Sequence, residues 1–398
     1  MRRTEFRLRG PHRESDPLIT IPFIDLQAQR LRLGGKIEAA VQEAVVGGAW
    51  VMGPQVRQFE ADLAAFGQAR HALGCANGTD ALALPLMAWG VGRGDAVFVP
   101  SFTFAATAEV VPWFDAEPVF IDVDATTYNM DPGHLEAAIE ATLKEGRLTP
   151  RVVIAVDLFG QPADYPAIKA ICDKHGLKLI SDSAQGFGCT IDGEHPLKWA
   201  DITTTSFFPA KPLGCYGDGG ALFTDDDMLA QAAREIRVHG QSARYTHTRI
   251  GVGGRMDTLQ CAIVLGKLGR FEWELQRRTT LGARYTAALQ GLPGLRTLTV
   301  KPDRDCVWGQ YTVFVDERSR VQAALKEAGI PTAVHYPKPL HHQVAYAAHC
   351  CPDCCPVSVD VAGRVLSLPM SADLSEADQD RVVAALRAAL TSSVGAPA

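Results

Sequence analysis

The sequence predicts an α/β protein, with a large domain built on a mostly parallel sheet and a smaller α+β domain at the C-terminal end. Three observations carry this expectation. Short Val/Ile/Leu-rich runs at 96–100, 118–122, 152–157 and 177–182 mostly end in polar residues, the pattern of strands buried on both faces. Amphipathic stretches lie between them, which makes the series βαβ. After Arg255 the alternation gives way to a long helical stretch and then to mixed elements.

Taken in order, residues 1–20 hold Arg2, Arg3, Arg7, Arg9 and Arg13 without an apolar run behind them, so they read as a disordered tail rather than a secretory signal. The large domain is placed at 21–255. Within it, 81–89 reads as a helix, and 166–175 as another that stops before Gly176. Segments 203–208 and 221–224 read as two further strands flanking a loop around Lys211. The small domain is placed at 256–391, starting with a long helix at 256–292 that breaks near Thr280. Strands at 311–315 and 332–335 and helices at 319–327 and 378–390 complete it, and 392–398 is a second disordered tail.

Composition narrows the function classes. At 398 residues, 21% of them charged and a mean hydropathy of zero, the chain has the make-up of an ordinary globular protein. A net charge of −6 offers no general attraction to nucleic acid or anionic membranes, so neither is expected as a partner. The apolar stretch 81–92 is interrupted by Pro85 and is too short to span a bilayer. A cytoplasmic location is expected, and the ten cysteines are then expected as reduced thiols. The run His349-Cys350-Cys351-Pro352-Asp353-Cys354-Cys355-Pro356 contains a CxxC, but no second CxxC or spaced His pair completes a zinc site. It reads as a loop with incidental thiols, and no metal is expected.

Chemistry concentrates at a few positions. Lys211 follows Phe207, Phe208 and Pro209 and precedes a glycine-rich turn, surroundings that could lower the pKa of a Schiff-base lysine. Cys75-Ala76-Asn77-Gly78-Thr79-Asp80 precedes a helix, where Gly78 admits an anion to the backbone and Thr79 adds a hydroxyl; an ordinary helix cap has the same composition. Asp182 closes a strand at the carboxyl edge of the sheet, placed either to keep a pyridine nitrogen protonated or to cap a helix. Phe104 follows another strand end and could stack on a ring or belong to the core. A phosphate site, a stacking aromatic, a carboxylate and an amine are together the requirements of pyridoxal 5′-phosphate.

In order and wording these pieces resemble the DegT/DnrJ/EryC1/StrS sugar aminotransferases, within the fold-type I, aspartate-aminotransferase-like enzymes. The resemblance runs from Ile21 to about Leu390. Its marks include Ile21-Pro22-Phe23-Ile24-Asp25-Leu26, Asn77-Gly78-Thr79-Asp80-Ala81-Leu82, Pro100-Ser101-Phe102-Thr103-Phe104, Gly160-Gln161, Asp182-Ser183-Ala184-Gln185, the stretch 206–220 and Arg255-Met256-Asp257-Thr258-Leu259-Gln260.

The resemblance implies Lys211 for the Schiff base, Asp182 for the pyridine nitrogen and Gln185 near the ring and its phenolic oxygen. It also implies Gly78, Thr79 and Ser206 for the phosphate and Phe104 for stacking. His335 and Tyr336 sit where the family approaches the sugar nucleotide, although a buried structural pair fits them as well. Two positions depart from many relatives. Gly253 replaces an Asn that reaches the neighbouring subunit's phosphate, and Asp157 stands where many have His, with a possible effect on substrate choice.

The implied activity is ping-pong transamination from L-glutamate, released as 2-oxoglutarate, to a nucleotide-linked keto-sugar, in a homodimer with shared active sites. The wording around Lys211 is similar to the branch that aminates C3 of UDP-2-acetamido-2-deoxy-3-oxo-glucuronate for lipopolysaccharide sugars. The rivals are a 4-keto-sugar aminotransferase of perosamine or bacillosamine type and a non-catalytic regulatory protein of the same fold. A uronate needs a cation for its carboxylate, and Arg237, Arg244, Arg249 and Lys338 are candidates. Dehydrating relatives carry His in place of the lysine, which Lys211 opposes. A nicotinamide enzyme would need a GxGxxG turn after the first strand, which is absent.

Overall fold

The structure, a computed structural model, describes residues 21–391, so the two expected tails lie outside the described residues. Its centre is a seven-stranded sheet. The strands are β1 (His71–Cys75), β2 (Asp95–Pro100), β3 (Glu117–Ile121), β4 (Thr149–Val156), β5 (Lys178–Asp182), then a two-residue β6 (Thr190–Ile191) outside this sheet, β7 (Ile202–Ser206) and β8 (Gly220–Thr224). The order is β1-β8-β7-β5-β4-β2-β3, and β8 alone runs against its neighbours, β1 and β7. The expected mostly parallel sheet is present.

Strand residues alternate between two buried layers, which explains the unbroken apolar runs. Val97, Val99, Ile154, Ile180 and Ile202 face a core shared with Leu84 and Leu229, whereas Phe98, Val153, Ala155 and Leu179 face one shared with Leu135 and Ile168. The layer-forming helices begin with α1 (Leu26–Arg32), α2 (Lys36–Gly47), α3 (Pro54–Phe66), α4 (Gly78–Ala88) and the single turn α5 (Ala106–Glu109). They continue with α6 (Pro132–Glu145), α7 (Tyr165–His175) and α8 (Asp227–Ile236). α7 stops where expected, at Gly176 in the left-handed conformation.

The stretch 256–292 is two helices instead of one broken near Thr280. α9 (Thr258–Leu268) ends at Gly269, and α10 (Phe271–Leu289) starts after Arg270, whose φ of −125° interrupts the helix. Thr280 stays helical, its hydroxyl donating to Gln276 O at 2.9 Å. α9 packs on α2 and α3, while α10 packs on the C-terminal helix. Between β8 and α9 a small hairpin, β9 (Gln241–Ala243) with β10 (Thr246–His247), projects with Tyr245 77% exposed.

A second, antiparallel sheet follows, ordered β11 (Leu295–Thr297), β13 (Tyr311–Val315), β14 (Val365–Leu368), with β12 (Arg304–Asp305) paired to β6. α11 (Arg318–Glu327), α12 (Pro356–Arg364) and α13 (Glu376–Thr391) complete this part. The expected strand at 332–335 is reduced to a single bridge, Ala333 to Ser367. The core beneath these elements also takes in Phe102, Val156 and Phe159 from the large sheet's edge. Among the described residues no helix is long and apolar enough to cross a membrane.

The cysteines correct one expectation. Cys350 and Cys354 are joined as a disulfide, and the other eight are free.

Candidate active site

Register brings distant residues to one edge of the sheet. β4, β5 and β7 are parallel, so Val156, Asp182 and Ser206 end on the same side. Because β8 is antiparallel, its first residue, Gly220, lies opposite both Ser206 and Cys75. Along this edge lies a cavity of about 660 Å³, lined by Gly78, Thr79, Phe104, Asp182, Gln185, Ser206, Lys211, His335 and Tyr336. All seven cofactor candidates, together with His335 and Tyr336, therefore border one space.

At one end of it stands the N-terminus of α4. Asn77 caps this helix, its side chain accepting from Asp80 N at 2.7 Å, which leaves the first N–H groups at Gly78 and Thr79 directed outward. Gly78 has to be glycine, because a Cβ there would lie 2.7 Å from Ser206 Cβ. The same crowding holds Gly220 against Asn77 O, where a Cβ would approach to 2.4 Å. The result is a tight cradle of backbone donors and one hydroxyl.

Asp182 is 5% exposed and accepts from Thr107 Oγ1 at 2.9 Å and from Ala184 N at 3.1 Å. Burial raises its pKa, and the two donors and the charge of Lys211 offset only part of that rise. Burial lowers the pKa of Lys211, opposed by Asp182. The amine follows a tight turn, Lys211 N donating to Phe208 O at 2.8 Å. Thr107 went unnoticed in the sequence; its signal is a hydroxyl three residues beyond Phe104.

Phe104 is 54% exposed, with its ring 6.1 Å from that of Tyr336, so it presents a face to the cavity instead of joining the core. Gln185 is fully engaged by protein. Its Oε1 accepts from Phe159 N and its Nε2 donates to Tyr336 OH, both at 3.0 Å. His335 Nδ1 meets Ser367 Oγ at 2.9 Å, and burial with the Lys211 charge nearby lowers its pKa. Burial raises that of Tyr336.

Asp157, Gly253 and the four candidate cations lie outside the lining of this chain's own cavity. Asp157 is fully buried beneath Asp182 and holds Tyr165 OH at 2.6 Å, Ala163 N at 3.1 Å and Ser183 Oγ; burial pushes its carboxyl up to about 6. Arg237 is 3% exposed, paired with Glu60 and bonded to Gly74 O. Arg249 pairs with Glu235 at 2.9 Å, and Arg244 lies over Tyr245. Lys338 is exposed, and among the described residues Lys211 is the one Lys or Arg that lines the cavity. Gly253 lies outside the lining, beside His239.

The donor set fits pyridoxal 5′-phosphate: N–H groups for an anion, an aromatic face for a ring, a buried carboxylate, and an amine with a lowered pKa. Relatives agree. The chain is 47% identical over 368 residues, 92% of its length and 99% of the relative's, to the UDP-2-acetamido-2-deoxy-3-oxo-D-glucuronate aminotransferase of Pseudomonas aeruginosa. A crystal structure of a DegT DnrJ EryC1 StrS aminotransferase from Brucella abortus is 46% identical, with a TM-score of 0.90, covering 92% of this chain and 99% of that one. A Bacillus subtilis structure, ntda with bound cofactor pmp, is 27% identical with a TM-score of 0.85, covering 96% and 86%. Residues 32–387 match the family as a whole. The chain belongs to the DegT/DnrJ/EryC1/StrS aminotransferase family and is a pyridoxal-phosphate-dependent aminotransferase.

Proposed function

We propose that the protein transfers the amino group of L-glutamate to C3 of UDP-2-acetamido-2-deoxy-3-oxo-glucuronate. The observation that carries this reading is the meeting of Lys211, Asp182, Phe104 and the α4 N-terminus around one cavity, in a chain 47% identical to an aminotransferase of that sugar. When bound, pyridoxal phosphate would supply an electron sink for the substrate carbanion and carry the amino group between half-reactions.

The chain's own residues do the rest. The N–H groups of Gly78 and Thr79 and the hydroxyl of Ser206 would hold the phosphate, the helix dipole adding to their attraction. Phe104 would cover one face of the ring. Asp182, whose carboxylate accepts from Thr107 Oγ1 and Ala184 N, would hold the proton at the ring nitrogen. Lys211 Nζ, freed of its proton more easily because it is buried, takes the proton from the substrate α-carbon and returns it on the other side of the reaction. Gln185 Nε2 holds the Tyr336 hydroxyl at the cavity wall, with His335 beside it.

Among the described residues a uronate carboxylate finds no cation in the cavity other than Lys211, which is occupied by the chemistry. A second copy is therefore expected to complete the site. Trp50, Val51, Tyr245 and Ile250 are each more than half exposed, apolar side chains of the kind a homodimer buries. Arg244, at the tip of the β9–β10 hairpin, is the cation best placed to reach a neighbour.

The test is 2-oxoglutarate release from L-glutamate with 3-keto and 4-keto UDP- and dTDP-sugars. A kcat/KM at least about tenfold higher for the 3-keto UDP-hexuronate is expected. Preference for a 4-keto sugar, or no release with any acceptor, refutes the assignment.

A further inference from the structure

A second cluster of reactive side chains lies away from the cavity. Cys350, Cys351, Cys354 and Cys355 fall within six residues, just before α12. The turn at Pro352 and Asp353 folds the chain back, Cys354 N donating to Cys351 O at 3.4 Å. The sulfurs of Cys350, Cys351 and Cys354 consequently all lie within 4.8 Å of one another, and Cys355 Sγ lies 3.5 Å from Cys354 Sγ. The Cα atoms of the paired Cys350 and Cys354 are 6.9 Å apart, just past the usual range of about 4.4–6.8 Å for a disulfide.

We propose that in the reduced protein Cys350, Cys351 and Cys354 form a thiolate site for a soft divalent cation of the zinc type. Zinc–sulfur bonds of about 2.3 Å at tetrahedral angles hold neighbouring sulfurs about 3.8 Å apart, a spacing that three sulfurs lying within 4.8 Å of one another can take once the Cys350–Cys354 bond is opened by reduction. Three sulfurs and no carboxylate among the three ligands select zinc over magnesium or calcium. Cys351 is exposed, so the fourth position opens to water on that side.

The ion's role is structural. His341 and His342 each bond Pro352 O, at 3.3 Å and 2.8 Å, so the thiol loop is tied to the segment before it. That segment is in turn tied to Ser101, through Leu340 N to Ser101 O at 2.8 Å and through the contact of His341 Nδ1 with Ser101 Oγ. On the other side, Asp122 accepts from Val357 N and Ser358 N at the start of α12. A bound ion would clamp the loop between these anchors, behind the segment that carries Phe104, without reaching the cavity.

The test uses full-length, cofactor-loaded protein that has been reduced, stripped of metal and kept under anaerobic conditions. Cobalt(II) should give a near-ultraviolet sulfur-to-metal charge-transfer band that saturates at about one ion per chain and is displaced by zinc. Cys351→Ser, at an exposed position that keeps the fold, should weaken binding at least about tenfold. Zinc should raise the thermal midpoint of the natural chain and not of the variant. The proposal is overturned by the absence of a band or by a band that survives Cys351→Ser.

Discussion

Lys267 offers the sharpest test of how the Lys211 loop is held. Its side chain, 3% exposed on α9, donates to Gly214 O at 2.6 Å and lies 4.3 Å from the centre of the Tyr216 ring. Burial lowers its pKa to about 8, with Glu274 opposing. Below about pH 8 the folded and unfolded chains both carry the charge, and the fold bears the cost of burying it. Between about 8 and 10.5 the folded chain has lost the proton and the unfolded chain keeps it, so this group's contribution to stability rises with pH. The fall from the ordinary 10.5 to about 8 corresponds to about 3 kcal/mol. Lys267→Met removes this dependence. At pH 7 it relieves the buried charge but leaves Gly214 O without its donor, a loss of about 1–3 kcal/mol, so the two effects nearly cancel. Denaturant unfolding of both proteins at one chain concentration and equal cofactor saturation, from pH 7 to 10.5, checks this. The natural chain should gain on the variant by about 3 kcal/mol over that range. A difference that stays flat or falls with pH refutes the reasoning.

Three further outcomes are expected. Lys211→Ala should lose the cofactor's absorbance near 400 nm and at least about a thousandfold in turnover, measured in the glutamate half-reaction. Thr107→Val removes one of the two donors to Asp182, a charge-assisted bond of about 1.5–3 kcal/mol. It should lower kcat/KM by about ten- to a hundredfold while the thermal midpoint changes little; unchanged kinetics would mean that Asp182 does not depend on that hydroxyl. Gly78→Ala forces a Cβ to 2.7 Å from Ser206 Cβ and should weaken cofactor binding, followed by fluorescence titration, by about tenfold or more, with about 1–3 kcal/mol of overpacking strain.

Much of the fold was legible because parallel strands covered on both faces need uninterrupted apolar residues, and those of β2, β4 and β5 are plain in the chain. β1 escaped because His71-Ala72-Leu73-Gly74-Cys75 is short and holds two small residues, and it owes its place to pairing with β8. The break after α9 was marked only by Gly269, while Thr280, a weaker helix former, stays helical through its bond to Gln276. Arg237 and Asp157 looked available to a substrate because charge is visible in a sequence and its partners are not. Glu60, 177 residues from Arg237, and Tyr165 and Ser183 around Asp157 engage them in the interior.

The sequence by itself determined the chemistry. An amine after an aromatic run, an acid at a strand end and a small-residue turn before a helix are local choices, and each is written in a few adjacent residues. Only the tertiary structure decided which groups share a space. Sheet register sets Ser206 against Gly220 and Gly220 against Cys75, and so brings the α4 N-terminus beside a strand far along the chain. Packing likewise decided which charges remain free, because a buried ion must find its partner wherever the fold provides one.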